Sequence, residues 1–258
     1  MKKLLSIVIA MVIMLMSCTV FAATDISGGV IQIEGIGALQ NKDAAAGYRA
    51  AKVDAMRNAL EEVQGVYIDS ETTVKDSIMT SDIIKSRING LIKGAKVVKR
   101  FKDGDGYHVI IEMPVYGAQS IAASAIPESN AKPQAFPAAT TFVPNVPTST
   151  GAYTGLIVDC TGLGLETAMA PAVFATDDKL VYGQVNYSRD MTVKKGYVGY
   201  SNSLNSGISR AGSNPLVVKA QSVKGFVSPV VSLDDAAKIL AENKASGFLT
   251  RGNVVFVK

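Results

Sequence analysis

Apolar residues recur every three or four positions between Asp43 and Val63, which predicts an amphipathic helix with charged residues on its opposite side. Gly65 is the predicted C-terminal stop of this helix. Much of the apolar stripe is alanine, so we expect the helix to approach a sheet closely. The stripe comprises Ala44, Tyr48, Ala51, Ala55, Ala59 and Val63, widened by Met56 and Leu60.

Alternating apolar and polar positions predict strands on either side of this helix. Residues 29–35 are a predicted strand, residues 66–74 a second one, and residues 81–92 a second amphipathic helix. Residues 95–102 and 107–116 are predicted to form a hairpin. The order β-α-β-α-β-β indicates an α+β sandwich with two helices on one sheet face.

A proline-rich segment separates two predicted domains. Residues 118–150 lack a periodic apolar pattern and are rich in alanine, serine and threonine, which is typical of a semi-extended linker. We therefore predict an N-terminal α+β domain over 24–117 and a C-terminal α/β domain over 151–258, spaced by this linker. Its prolines are Pro127, Pro133, Pro137, Pro144 and Pro147.

The second predicted domain combines short strands with one clear helix. Ser232 is the predicted N-cap of that helix, with Asp235 at the capping-box position and Gly247 at the end. The expected strands lie at residues 153–159, 173–174, 180–182, 215–220 and 252–258. The whole chain is thus predicted to be α/β, with two small domains.

The first 23 residues have the pattern of a secretory signal peptide. Two lysines precede an apolar run of about 13 residues and a small-residue exit. A membrane-spanning helix needs roughly 20 apolar residues, so this run is too short to be one. Two interpretations remain open, cleavage after Ala22 or Ala23, or a lipobox that ends at an acylated Cys18. Both place the working protein in the periplasm or outer envelope.

Composition limits the class of protein. The formal net charge of the 258 residues is +4, and acids and bases are mixed along the chain. This argues against nucleic-acid binding, for which basic residues gather on one face. The chain has only two cysteines, and Cys18 either leaves with the signal or carries lipid. Alternation over residues 155–160 places Cys160 on an apolar face, which predicts a buried, unreactive thiol.

Several blocks of the sequence resemble known envelope proteins. Residues 47–60 and 63–68 resemble the Lpp-twenty lipoprotein family and the N-terminal domain of flagellar assembly protein T, as do residues 90–94 and 105–114. Residues 153–159, 162–165 and 232–240 look similar to central domains of such proteins. The resemblance implies a non-enzymatic envelope protein, in some relatives a component of rings around the flagellar basal body. It implies no catalytic residues.

His108 is the single histidine of the chain and the first candidate for chemistry. Alternation places it with Ile110 and Glu112 on one face of a strand, opposite Tyr107 and Val109. We predict a partly exposed strand histidine; the alternative is an acid–base or metal residue beside Glu112. One histidine does not supply a histidine-rich zinc site, and a Gly-x-Ser-x-Gly elbow is missing. We therefore predict no catalytic, cofactor or metal site.

Two glycine-rich turns resemble ligand-binding loops only in part. Asp103-Gly104-Asp105-Gly106 begins like a calcium loop but continues with a tyrosine, so a hairpin turn is the favoured interpretation. Gly162-Leu163-Gly164 lacks the third glycine of a dinucleotide fingerprint. Asp159 lies at a strand end, where sites on α/β sheets form, and Glu166 follows it. These two carboxylates are the candidates for a wall-polymer hydrolase, the alternative function.

The densest basic run lies on a predicted edge strand. Lysines there either discourage sheet aggregation or contact anionic groups. The stretch from Tyr197 to Asn214 is rich in tyrosine, asparagine, serine and glycine, which suits protein contacts as well as long loops. The candidate interaction surface is therefore Lys96, Lys99, Arg100, Lys102, Tyr197 and Tyr200.

Together these observations predict a non-enzymatic, secreted or periplasmic envelope protein that acts in structure or assembly by protein–protein interaction. The expected partners are other envelope proteins, with flagellar basal-body components and a second copy of the chain as candidates. No nucleic acid is expected, and membrane contact is expected only through a lipid on Cys18. The alternatives are a wall-polymer hydrolase and a small-ligand binding module that uses an interdomain cleft.

Overall fold

The computed structural model describes residues 24–38, 43–104 and 106–258. These residues form six α-helices and 11 strands in three sheets, which confirms the predicted α/β class with two small domains. The predicted signal peptide and Cys18 lie outside the described residues. None of the helices in these ranges has the length and hydrophobicity that a membrane span requires.

The first domain is a three-stranded antiparallel sheet with helices. Its order of strands is β1-β3-β2, so β3 is central and β2 lies at an edge. This arrangement confirms both the predicted hairpin and the predicted edge strand. The elements are β1 (Val30–Gly37), α1 (Ala44–Gln64), α2 (Val74–Thr80), α3 (Asp82–Lys93), β2 (Lys96–Lys102), β3 (Tyr107–Pro114) and α4 (Ile121–Ala125).

Small residues allow α1 to lie directly on β1. The alanines at 51, 55 and 59 are fully buried, as the stripe predicted. Gly35 and Gly37 face them, and a Cβ atom at either glycine would collide with the backbone of α1. The close approach of helix and sheet therefore depends on glycine in the strand as well as alanine in the helix.

The predicted strand over residues 66–74 is wrong, because residues 66–73 form only isolated β-bridges, at Tyr67 and Thr73, and helix α2 begins at Val74. The Thr73 side chain accepts a hydrogen bond from the Asp76 N–H, and the Asp76 carboxylate accepts one from the Thr73 N–H at 2.8 Å. This capping box satisfies the free donors of the first turn and starts a helix where the apolar pattern indicated a strand. The order of elements is therefore β-α-α-α-β-β.

The second domain holds two four-stranded sheets. One is fully parallel, in the order β7-β11-β4-β8, and the other is mixed, in the order β6-β5-β10-β9. The elements are β4 (Gly155–Asp159), β5 (Val173–Ala175), β6 (Leu180–Tyr182), α5 (Arg189–Lys195), β7 (Gly199–Ser201), β8 (Pro215–Lys219), β9 (Ser222–Lys224), β10 (Ser228–Val231), α6 (Leu233–Ser246) and β11 (Val254–Val257).

Strands β4 and β11 are buried on both faces, as central parallel strands usually are. Val158 and Phe256 pack in the large core with α6, whereas Ile157 and Val255 pack in a smaller cluster on the other face. The predicted bounds of α6 are confirmed at both ends. Ser232 caps its first turn, and Gly247 ends it in the left-handed region with φ +70°.

The proline-rich segment is packed against the domains at both of its ends. Helix α4 lies in the core of the first domain, and Phe142 lies in the core of the second. Near residue 150, the Thr150 and Gly151 N–H groups donate to the buried Glu242 carboxylate at 2.9 and 3.0 Å. The apolar residues of this segment follow no regular period and are interrupted by prolines, so their pattern did not indicate burial.

The two domains contact each other directly. The Met169 and Ala170 N–H groups donate to the carbonyls of Tyr67 and Ile68 at 3.0 and 2.7 Å, and the Met169 side chain lies in the first-domain core. Arg189 on α5 donates to carbonyls at and after α4. The prediction that the linker sets the domain spacing is therefore wrong, since direct contacts fix it.

Candidate functional site

The sheet of the first domain has a helix-covered face and an opposite face, which we call the open face. Residues such as Ile33, Val109 and Ile111 lie in the helix-covered core. The register places the alternate residues together on the open face, and all four from β1 are exposed. The open face comprises Val30, Gln32, Glu34, Ile36, Lys96, Lys99, Phe101, His108, Ile110, Glu112 and Pro114.

Apolar and charged side chains are interleaved on the open face. Ile36 is 49% exposed and Val30 41% exposed, and Ile110 and Phe101 are partly exposed. The register puts Ile36, His108 and Phe101 in one row, with Ile110 in the next row. An apolar patch bordered by polar groups is typical of a surface that binds another protein.

His108 lies at the centre of a polar cluster on this face. Its Nδ1 atom is 2.6 Å from Glu34 Oε1, and its Nε2 atom is 2.7 Å from Asp103 Oδ1. An ionised carboxylate only accepts hydrogen bonds, so this arrangement favours the imidazolium form, in which both ring nitrogens donate. The cluster joins β1, β3 and the end of β2 by charge-assisted hydrogen bonds.

The prediction that His108 is partly exposed is wrong, since the residue is only 4% exposed. The Phe101 ring stacks on the imidazole with centroids 4.6 Å apart and an angle of 12° between the planes. Glu112, the expected neighbour, accepts a hydrogen bond from Gln32 Nε2 at 2.7 Å. The face assignment of His108 is correct, but its partners come from β1 and the hairpin turn.

The surroundings of His108 stabilise the positively charged form of its imidazole ring. Desolvation lowers the pKa of His108, but hydrogen bonds to the Glu34 and Asp103 carboxylates outweigh this effect and raise the pKa above its ordinary value. Both nitrogens are already engaged, so neither faces a substrate as a base. Over the part of the chain that the structure describes, no group of three or more His, Cys, Asp or Glu side chains is placed to hold a metal ion.

The predicted basic residues lie along β2 on both sides of the sheet. Lys96 and Lys99 are on the open face, and the register places Arg100 and Lys102 on the helix side. All four are exposed, and none forms an ion pair with another residue in the described ranges. Lys99 Nζ lies 4.7 Å from the centroid of the Phe101 ring. The strand therefore presents to solvent four cations that are not paired with any carboxylate among the described residues.

The two tyrosines predicted for the interaction surface both have hydrogen-bonded hydroxyls. Tyr197 is fully buried, and its hydroxyl donates to the Pro171 carbonyl at 2.8 Å. The Tyr200 hydroxyl accepts from the Ala168 N–H at 2.9 Å and donates to the Ala168 carbonyl. The assignment of Tyr197 to a surface is therefore wrong, because its ring lies in the core of this tryptophan-free chain. Tyr200 is half-buried and packs against the same core.

The carboxylate and thiol at the end of β4 are held within their own turn. Asp159 Oδ1 accepts from the Thr161 N–H at 3.0 Å, and hydrogen bonds from Thr161 lower the pKa of Asp159. The Cys160 thiol is buried, as predicted, and burial raises its pKa to about 12. Gly162 and Gly164 have φ of +79° and +67°, as expected of a turn. The Glu166 N–H donates to the Phe226 carbonyl.

A groove of about 890 Å³ lies between α3 and the chain that follows β3. It is formed entirely by first-domain residues, so it is not a cleft between the domains. Arg87 in its wall is paired with Glu128 at 3.2 Å. The other residues that line the groove include Leu91, Lys96, Glu112, Tyr116 and Ser124.

Comparison with known proteins links only the second domain to a family. Residues 155–258 match the family model described as the second domain of Treponema pallidum Tp0624. The match begins at the first residue of β4 and includes the whole parallel sheet together with α6. The description gives no activity for that domain. No curated protein matches the chain.

Proposed function

We propose that this protein is a non-enzymatic component of the bacterial cell envelope that binds other envelope proteins through its first domain. The open face carries the proposal. Ile36 is exposed there near partly exposed Ile110 and Phe101, Val30 is exposed at the far end of the same face, and cations and carboxylates lie among them. Apolar groups that share an exposed face and are bordered by polar groups are typical of a surface that becomes buried in a complex.

The side chains that could perform chemistry are hydrogen-bonded within the protein or buried, which supports a binding function rather than catalysis. His108 is held between two carboxylates, and Asp159 is bonded within its own turn. Cys160 is buried with a strongly raised pKa. A wall-polymer hydrolase would require Asp159 to leave its hydrogen bonds to Thr161. Such an enzyme would release soluble fragments from cell-wall material, and Asp159→Asn would abolish the release.

The envelope location in this proposal derives from the sequence. The predicted signal peptide supports export across the inner membrane, with retention by lipid if Cys18 is acylated. The resemblance of residues 47–68 to the Lpp-twenty and flagellar assembly protein T families supports a role in envelope assembly. Flagellar basal-body proteins are the most specific partners that this resemblance suggests.

Site-specific photo-cross-linking in producing cells tests the proposal. A photoreactive amino acid is placed at Ile110 on the open face and, as a control, at Val53, which is 59% exposed on α1. We expect protein adducts from position 110 that are absent or much weaker from position 53. Equal labelling from both positions, or no protein adduct from position 110, would contradict binding through the open face.

The groove beside α3 supports a second candidate, a small-ligand binding function. Its volume of about 890 Å³ is within the range of ligand sites, and Arg87 and Lys96 would favour an anionic ligand. A thermal-shift screen of anionic metabolites tests it. A ligand that raises the melting temperature of the wild type but not of Arg87→Ala would support this function, and a screen without any such ligand would dismiss it.

A further inference from the structure

The direction of backbone hydrogen bonds along β2 can be read from the hairpin turn. In an antiparallel pair, residues bonded to the partner strand alternate with residues whose N–H and C=O point away from it. The Asp103 N–H donates to the Gly106 carbonyl at 3.1 Å, so this pair is hydrogen-bonded. Counting back along the register, Phe101 and Lys99 bond to β3, whereas the backbone groups of Arg100 and Lys102 point outwards.

The opposite edge of the sheet shows the same alternation, but side chains of α1 bond to part of it. On β1 the outward Ile36 N–H donates to Asp54 Oδ2, and the outward Glu34 carbonyl accepts from Asn58 Nδ2, both at 3.0 Å. Side chains of α1 thus occupy two of the outward backbone groups of β1. For the residues that the structure describes, no hydrogen bond reaches the outward backbone groups of Arg100 or Lys102. Within the described part of this sheet, the β2 edge is therefore open to backbone pairing at both of these residues.

The charge on β2 selects the kind of strand that could pair there. Four of its seven residues are cations, none is acidic, and none of the cations has an ion-pair partner in the described ranges. A second copy of β2 would place like charges opposite one another, which is destabilising. The register shift at Val98 limits regular pairing to the stretch from Lys99 to Lys102. The complementary occupant is a short acidic strand.

We propose that the β2 edge binds an extended, acidic segment of a partner protein, which joins the first-domain sheet as a fourth strand. The backbone groups of Arg100 and Lys102 supply the pairing, as in other cases of strand addition. Lys99 lies on the open-face side of this edge, and Arg100 and Lys102 lie on the helix side. The segment therefore carries acidic residues on both of its faces. The inference rests on the proposed function, and it specifies the chemistry of the partner.

Amide hydrogen exchange in the purified protein tests strand addition. The probe is a short capped peptide of threonine, valine and glutamate with glutamates on both faces, and its lysine counterpart is the control. On saturation with the acidic peptide we expect exchange to slow at least about tenfold at Arg100 and Lys102, because new hydrogen bonds must open before exchange. Exchange at Ile36 should not change, and the lysine peptide should have no effect.

A proline variant separates backbone pairing from charge. Arg100→Pro removes an outward N–H while leaving the hydrogen bonds to β3 intact, and proline is tolerated on edge strands. We expect it to weaken peptide binding about tenfold, and Arg100→Gln only about twofold to threefold, since the latter keeps the N–H. Lys102→Pro provides the same test at the second outward residue. Unchanged exchange at Phe101 verifies that the strand remains paired with β3.

Three results would overturn the inference. One is peptide binding without slower exchange at Arg100 and Lys102, and another is equal affinity in Arg100→Pro and Arg100→Gln. The third is equally tight binding of vesicles rich in anionic lipid, which would show that β2 is a general polyanion surface. These failures leave cross-linking at Ile110 unaffected, so they are distinguishable from failure of the proposed function.

Discussion

Three tyrosines at the centre of the second-domain core differ in the bonding of their hydroxyl groups. Tyr187 donates to the Leu249 carbonyl at 2.6 Å, and Tyr197 donates to the Pro171 carbonyl at 2.8 Å. Tyr182, which packs edge-on against both rings, has a buried hydroxyl without a partner among the described residues. A buried hydroxyl that makes no hydrogen bond costs free energy, so these residues should respond differently to the same substitution.

We therefore expect Tyr182→Phe to raise the free energy of unfolding by about 1 kcal/mol, because it removes a hydroxyl that was desolvated without compensation. Tyr197→Phe is the matched control and should lower it by about 1 kcal/mol, since it leaves the Pro171 carbonyl without its donor. Urea denaturation at neutral pH measures both. Destabilisation by Tyr182→Phe as large as that by Tyr197→Phe would show that the Tyr182 hydroxyl is bonded.

The His108 cluster predicts a dependence of stability on pH. The pKa of His108 is raised in the folded protein, so the stabilisation is fully present below the ordinary value of 6.5 and is lost as pH rises through the folded-state pKa. The difference in unfolding free energy between wild type and His108→Gln should thus be largest near pH 5.5 and shrink above the raised pKa. Denaturation from pH 5 to pH 9 measures it, and a difference that does not vary with pH would contradict the assigned charge.

Sequence reasoning found the face of His108 but could not find its environment. Glu34 is 74 positions away in the chain, and only the pairing of β1 with β3 brings it to the ring. Asp103 is five positions away, so the short hairpin that was predicted contained this partner. Asp103 at the turn and His108 two residue pairs beyond it share one face of the hairpin, and this spacing was the signal that could have indicated the contact.

At the scale of elements, the length of each helix or strand decided whether it could be predicted from the sequence. Helix α1, with 21 residues, repeats its apolar stripe often enough for the pattern to be clear. Helices α2 and α4 have seven and five residues, which is too short for a period of 3.6 to be distinguished from alternation. The Thr73–Asp76 capping box was the one local signal for α2. Strands β9 and β10 were missed because they are short and lie in a stretch without clear alternation.

Helix α6 also fixes the end of the proline-rich segment through Glu242. Desolvation raises the pKa of this buried carboxyl, but hydrogen bonds from Thr150, Ser149 and Gly151 outweigh it and lower the pKa. Glu242→Gln should lower the free energy of unfolding by about 2 kcal/mol at pH 7, because an amide cannot accept all of these bonds. Glu61→Gln on the exposed side of α1 should change it by less than about 0.5 kcal/mol.

The pH dependence of the Glu242 effect provides a second check. The folded-state pKa is lowered, so the stabilisation is present above the ordinary value of 4.5 and is lost as pH falls through the folded-state pKa. In thermal or urea unfolding, the gap between wild type and Glu242→Gln should therefore narrow in acid. A gap that widens below pH 4 would contradict a bonded carboxylate.

At the scale of the whole molecule, direct contacts hold the two domains in one arrangement. Beside the backbone pairing at residues 169 and 170, Lys258 Nζ lies 2.8 Å from Asp25 Oδ2. The guanidinium of Arg189 donates to the carbonyls of Ala123, Ile126 and Pro127. None of these contacts is visible in the sequence, because each joins residues far apart in the chain that belong to separately folded units.

We therefore expect Arg189 to contribute much more to the free energy of unfolding than its position on a short helix suggests. We expect Arg189→Ala to lower the free energy of unfolding by about 2 to 3 kcal/mol, because several carbonyls lose a charged donor. Lys194→Ala on the exposed side of the same helix should cost less than about 0.5 kcal/mol. Calorimetry distinguishes the two variants. Equal effects would mean that Arg189 does not link the domains.

The central claim is that this protein works by binding other envelope proteins through the sheet of its first domain. Hydrogen–deuterium exchange, on protein isolated from producing cells with its partners and on protein purified alone, tests it most directly. The account predicts slower exchange in the bound sample over β2 and β3, with little change over the parallel sheet of the second domain. Protection confined to the second domain, or the same exchange in both samples, would contradict it.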